Sequence, residues 1–161
     1  MRKGFTMIEL IFVIVILGIL AAIAIPRLAA SRDDAEAVKT ARSMSVLVSD
    51  IGSYYISQAK LGGKLTDMTN VKFVGNVNGL TGEIDSAGKK CVKVTVFAGT
   101  ATVPAYVKFE NGTEAAAAGS ICPRVVANSA VKGMIDATFT PEGSTTPTKG
   151  IAIGSTTTIK F

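Results

Sequence analysis

Glu9 is the one acidic side chain in the stretch FTMIELIFVIVILGILAAIAI, which runs from Phe5 to Ile25 and is otherwise broken only by Thr6. A carboxylate in such a stretch costs on the order of 2–3 kcal/mol at the centre of a bilayer and less near its edge, so it marks a partner. Elsewhere the side chains that perform chemistry are scarce. The chain has no histidine, which removes the commonest general base and zinc ligand. It has no GxSxG, no HExxH and no phosphate-cradling glycine loop. Cys91 and Cys122 lack a CxxC neighbour, which argues against a metal knuckle or redox motif. Near the C-terminus only Asp136 and Glu142 offer carboxylates, too few for a hard cation that wants six or more oxygens. No catalytic residue, metal ligand or cofactor is assigned, and the chain reads as a non-enzyme.

The partner of Glu9 depends on the element that carries it. As a helix, residues 5–25 span about 30 Å, the thickness of a bilayer's hydrocarbon core. Arg2 and Lys3 precede the run and predict a cytoplasmic N-terminus with the remainder exported. Three kinds of segment compete. A secretory signal peptide has a basic start and an apolar core, and Leu28-Ala29-Ala30 offers small residues for cleavage, but such a core is usually shorter and carries no acid. A plain membrane anchor accounts for the length and leaves Glu9 unexplained. The third option is a cut between Gly4 and Phe5. It would create an α-amine four residues before Glu9, about one helical turn away. In a growing bundle, Glu9 of an incoming subunit would pair with the Phe5 amine of its predecessor. An unpaired charge is costly in low dielectric, so the pair would select axial register at docking.

The residues Lys3-Gly4-Phe5-Thr6-Met7-Ile8-Glu9-Leu10 resemble the cleavage and methylation motif of type IV prepilins and type II secretion pseudopilins. The resemblance covers roughly residues 1–35 and fades beyond. It implies that a prepilin peptidase cuts after Gly4 and N-methylates Phe5. It also places the family's assembly glutamate on Glu9, its helix-weakening glycine on Gly18 and its proline kink on Pro26. The four-residue leader and the Phe terminus are similar to type IVa pilins and pseudopilins. The implied fold is an α+β ladle, a long kinked N-terminal helix packed on a C-terminal antiparallel β-sheet. Its parts are a leader over 1–4, a transmembrane and assembly half-helix over 5–25, an amphipathic half-helix over 26–61 and a β-rich head over 62–161.

Composition agrees with two environments. The 161 residues have a mean hydropathy of +0.41 and an apolar fraction of 48%, with most of the excess between Phe5 and Ile25. After Pro26, where one helical hydrogen bond is lost and the helix can bend, Ala37, Ala41, Met44, Val48, Ile51 and Tyr55 make one apolar stripe. Gly62-Gly63 predicts the helix end. Val92, Val94 and Val96, then Ala105, Val107 and Phe109, alternate with polar or aromatic residues as strands do. Asn111-Gly112 reads as a hairpin turn leading to Thr113–Ala116, and Val74–Lys90 as a connecting loop. Further strand candidates are Met134–Phe139, Ile151–Ile153 and Thr157–Phe161, and Pro141–Pro147 reads as a surface loop.

An even pair of cysteines in an exported chain predicts a Cys91–Cys122 disulfide clamping the sheet, with two reduced thiols as the alternative in a cytosolic one. The net charge of +5 falls to +3 without Arg2 and Lys3, and Lys89, Lys90 and Lys93 form the only basic cluster. The function expected is a structural subunit of a type II secretion pseudopilus or type IV pilus-like filament. Its partners would be copies of itself and other pilins, prepilin peptidase, an inner-membrane assembly platform and membrane lipid. It would reside in the bacterial inner membrane with a periplasmic head, then in the filament. The alternatives are a minor pilin that binds DNA or an adhesion ligand through the lysine cluster, and, more remotely, a membrane-anchored periplasmic enzyme. The cluster lacks the interleaved aromatics of a stacking surface.

Overall fold

The computed structural model describes residues 4–100 and 102–154, so Arg2, Lys3 and the candidate strand Thr157–Phe161 lie outside the described residues. One helix, α1 (Met7–Gln58), carries the apolar run and the stripe as a single element of 52 residues with Pro26 inside it. Its apolar N-terminal part makes no contact that buries it, whereas from Ala37 onward one face is covered by the head.

The helix ends earlier than Gly62-Gly63. Ala59 takes the left-handed conformation (φ 53°, ψ 16°), and the chain turns there so that Leu61 packs back onto the core. Gly62 serves a different purpose, since a Cβ at that position would sit 3.0 Å from the Met68 side chain. The predicted stripe is correct at Ala37, Ala41, Met44 and Ile51 but shifts by one residue elsewhere. Leu47 is fully buried and Val48 only partly, while Tyr54 joins the core edge. A 3.6-residue period allows either neighbour at such points, and the twist of the sheet decides which one points inward. Truncating Leu47 to Ala would cost about 2–5 kcal/mol.

The head is an antiparallel sheet of β1 (Thr81–Ser86), β2 (Lys89–Phe97), β3 (Tyr106–Asn111) and β6 (Ile151–Ala152), in that spatial order. A separate two-residue pairing joins β4 (Thr138–Phe139) to β5 (Thr148–Lys149). The valines of β2 and the Val107 and Phe109 pair of β3 face α1, as their alternation predicts. Two short helices, α2 (Cys122–Ala127) and α3 (Ser129–Ile135), bury Val125 and Val131 against the same core.

Three expectations fail. The segment Val74–Lys90 is not only a loop, for it contains β1, whose Gly82 and acidic residues mask a strand with a buried-every-second-residue pattern. The tight hairpin lies at Ala87-Gly88, both at positive φ, and Ser86 pairs directly with Lys89. Asn111-Gly112 makes no hairpin. The Gly112 N–H donates to the Cys91 carbonyl at 2.8 Å, and a Cβ on Gly112 would run into the Lys90 carbonyl. This glycine is required for close backbone approach, and Thr113–Ala116 turns away instead of forming a strand. Met134–Phe139 is likewise split, with Met134 and Ile135 in α3 and only Thr138 and Phe139 in a strand. Asn128 caps α3 through its side-chain oxygen, which explains why a helix wins there.

Candidate functional site

The first turn of α1 is organised by Thr6 and Glu9. Thr6 is the N-cap, and its Oγ1 accepts from the Glu9 N–H at 3.4 Å. In return Glu9 Oε2 accepts from the Thr6 N–H at 2.9 Å and from the Thr6 hydroxyl at 2.7 Å. This is a reciprocal capping box, worth about 1 kcal/mol, and it places a carboxylate at the positive end of the helix dipole. The predicted partner of Glu9, the Phe5 nitrogen, lies one residue before the cap. The structure therefore brings Glu9 to the edge of the predicted cleavage site and engages it there with Thr6. The role of Thr6 was missed, although Thr-x-x-Glu ahead of an apolar run is a legible capping signature.

Gly4 has open space around its Cα, and Phe5 is 83% exposed. Gly18 lies mid-helix with nothing within 4 Å of a Cβ position, and Pro26 lies inside the same continuous helix. By length and composition α1 is apolar enough to cross a membrane, and its membrane-like window is wholly uncovered by the rest of the chain. Such a surface is unstable in water and suits membrane anchoring.

In the head, Cys91 and Cys122 form a disulfide with Cα atoms 4.9 Å apart. It joins β2 to the start of α2, so the bridge ties sheet to helix and does not close a C-terminal loop. Two lysines of the basic cluster are spoken for. Lys89 lies 3.4 Å from Glu114 and Lys90 lies 3.5 Å from Glu83. The Glu114 carboxyl is held below its ordinary value chiefly by the Lys90 N–H, with Lys89 adding to the effect. Lys93 enters no ion pair among the described residues. The cluster predicted as a basic patch is thus largely self-neutralised.

The α1–head junction is polar and satisfied. The Glu36 Oε1 accepts from the Ala87 N–H at 2.8 Å and pairs with Lys39 at 2.8 Å, raising the Lys39 amine above its usual value. Thr40 donates its hydroxyl to the Glu36 carbonyl, which leaves the buried Ser86 hydroxyl to donate to Thr40 Oγ1 at 2.9 Å. Arg124 of α2 pairs with Asp33 of α1 at 3.2 Å. Among the described residues no group of three or more His, Cys, Asp or Glu side chains converges as a metal site.

No curated protein and no solved structure matches this chain. Residues 1–25 do match the family described as a prokaryotic N-terminal methylation motif, and over that stretch the chain is similar to type IV prepilin-like proteins.

Proposed function

We propose that the chain is a structural pilin-like subunit that is cut between Gly4 and Phe5 by prepilin peptidase, N-methylated at Phe5 and polymerised through α1. The observation that carries this reading is the motif's position. It fronts a helix whose apolar half the folded chain leaves uncovered while the other half is packed into the head. An apolar rod on a globular head requires lipid first and other rods second. Cleavage turns the Phe5 nitrogen into a cation beside Glu9, and pairing across subunits would set axial register, with Gly18 and Pro26 easing the bend of the rod. Arg2 and Lys3 would hold the N-terminus in the cytoplasm and send the head to the periplasm.

Between a secretion pseudopilus and a pilus, the head favours a secretion-type or general pilin-like subunit. The disulfide joins β2 to α2 and leaves a long segment after Cys122 outside any terminal loop. The test is Gly4→Ala. The variant should accumulate as uncut precursor in the inner membrane, and a processed, methylated Phe5 found by mass spectrometry in that variant would sink the reading.

A further inference from the structure

Phe97 of β2 and Tyr106 of β3 are directly opposed in the sheet, and their rings stack at 4.7 Å with an interplanar angle of 12°. Phe139 of β4 leans on Tyr106 at 5.3 Å, so the three rings form a row whose end is Phe97, 36% exposed. The row lies on the sheet face away from α1, because the intervening Val94, Val96, Val107 and Phe109 are the buried ones. In sequence the three aromatics are scattered, and only the β2–β3 register and the β4–β5 pairing gather them.

Lysines stand on the same face. Lys108 is opposite Thr95, one same-face step or about 7 Å from the ring row, and Lys93 is two steps or about 13 Å from Phe97. Lys149 of β5 and Lys108 line one shallow cavity of about 290 Å³ together with the carboxylates Glu110 and Asp136. Two pairs on or beside this face cancel: Lys108 lies 2.8 Å from Glu110, and Lys90 lies 3.5 Å from Glu83. Lys93 stands directly opposite both Glu83 and Glu110, and the Glu110 carboxyl is held below its ordinary value chiefly by Lys108 and further by Lys93 and Lys149. Lys90, Lys93, Lys108 and Lys149 against Glu83, Glu110 and Asp136 leave the face one charge positive.

We infer that this outward face of the head binds single-stranded nucleic acid, one base stacking on Phe97 and the neighbouring phosphates meeting Lys93 and Lys149. A four-stranded antiparallel sheet with aromatic rings on its central strands is a known solution to stacking exposed bases, because every base offers a flat π face. A duplex hides those faces and would meet only the lysines. The inference goes beyond the filament reading and does not depend on it, since the face lies opposite α1.

The test is fluorescence anisotropy of a short labelled oligodeoxythymidylate with the full chain in non-ionic detergent, across a salt series. Single strand should bind more tightly than duplex or heparin. Phe97→Ala should weaken it about 5-fold or more, and Phe97→Tyr should retain it. Lys93→Gln with Lys149→Gln should reduce the salt slope by about 1.4, about 0.7 for each lost phosphate contact. The double lysine variant changes only surface charge, so it reads the site even if Phe97→Ala loosens the sheet. Equal affinity for single strand, duplex and heparin, or no binding at low salt, would overturn the inference.

Discussion

The Glu36 carboxylate, one residue before the stretch of α1 that the head covers, accepts a hydrogen bond from the Ala87 N–H at 2.8 Å across 51 residues of sequence. It holds the tip of the β1–β2 hairpin against the helix. Ala87 is at φ 54°, a conformation that costs an L-residue roughly 1–2 kcal/mol, so the tip needs an external tie. Glu36→Ala should therefore lower stability by about 1.5–3 kcal/mol, and Glu36→Gln by less because an amide oxygen still accepts. Ala87→Gly should be neutral or stabilising. Urea midpoints of the full chain in detergent check all three, and equal losses for Ala and Gln would assign the effect to the Lys39 ion pair instead.

Glu9→Ala should still be cut, since Gly4 and Phe5 are intact, yet assemble poorly. Filament yield from sheared cells, compared with precursor processing on immunoblots, separates the two steps. Normal filaments from Glu9→Ala would remove the register argument. Thr6→Ala loses the cap and the hydroxyl's bond to Glu9 but keeps the carboxylate, so it should cost about 1 kcal/mol of helix start and leave assembly closer to wild type.

Replacing Cys91 and Cys122 together by Ser should destabilise the head by about 3–4 kcal/mol in the chain-entropy model, from a loop whose ends are 31 residues apart. Thermal unfolding with and without reductant reads this directly. The wild type should shift on reduction and the double variant should not.

Asp85 supplies a pH signature. Its carboxyl is held below its ordinary value of 3.8 chiefly by the Lys72 ammonium, and also by the Gly88 N–H, against the opposing pull of burial. A carboxyl depressed in the folded state contributes stability above its unfolded value, and that stability is lost as pH falls through the folded one. The head should therefore lose stability on acidification below about pH 4, and Asp85→Asn should flatten that limb. Identical slopes for variant and wild type over the acid range would remove Asp85 from the account.

Gly112→Ala should destabilise strongly, by about 1–3 kcal/mol or more, since a Cβ there meets the Lys90 and Cys91 backbone with no flexible atom to yield. Gly88→Ala should act through strain at φ 78° alone, in open space. A larger loss at Gly88 than at Gly112 would contradict this division of roles.

Periodic and compositional signals survive without tertiary context, and they determined much of this protein. The apolar run with Glu9 marked the membrane-like helix and its charged feature, the valine alternation marked β2 and β3, and the cysteine pair marked the bridge. Each of these depends on one segment's own pattern or on the chemistry of a single residue type. What the tertiary structure decided depends on neighbours. A hairpin at Ala87-Gly88 could not be read because alanine is no turn signal, and the Glu36 tie on its N–H comes from 51 residues away. Asn111-Gly112 was misread because its glycine answers to the Lys90 backbone, not to a turn. The lysine cluster looked free until Glu83 and Glu114 folded onto it, and Phe97, Tyr106 and Phe139 became one surface only through strand register. The N-terminal motif thus spoke for itself, whereas the face of the head is a product of packing.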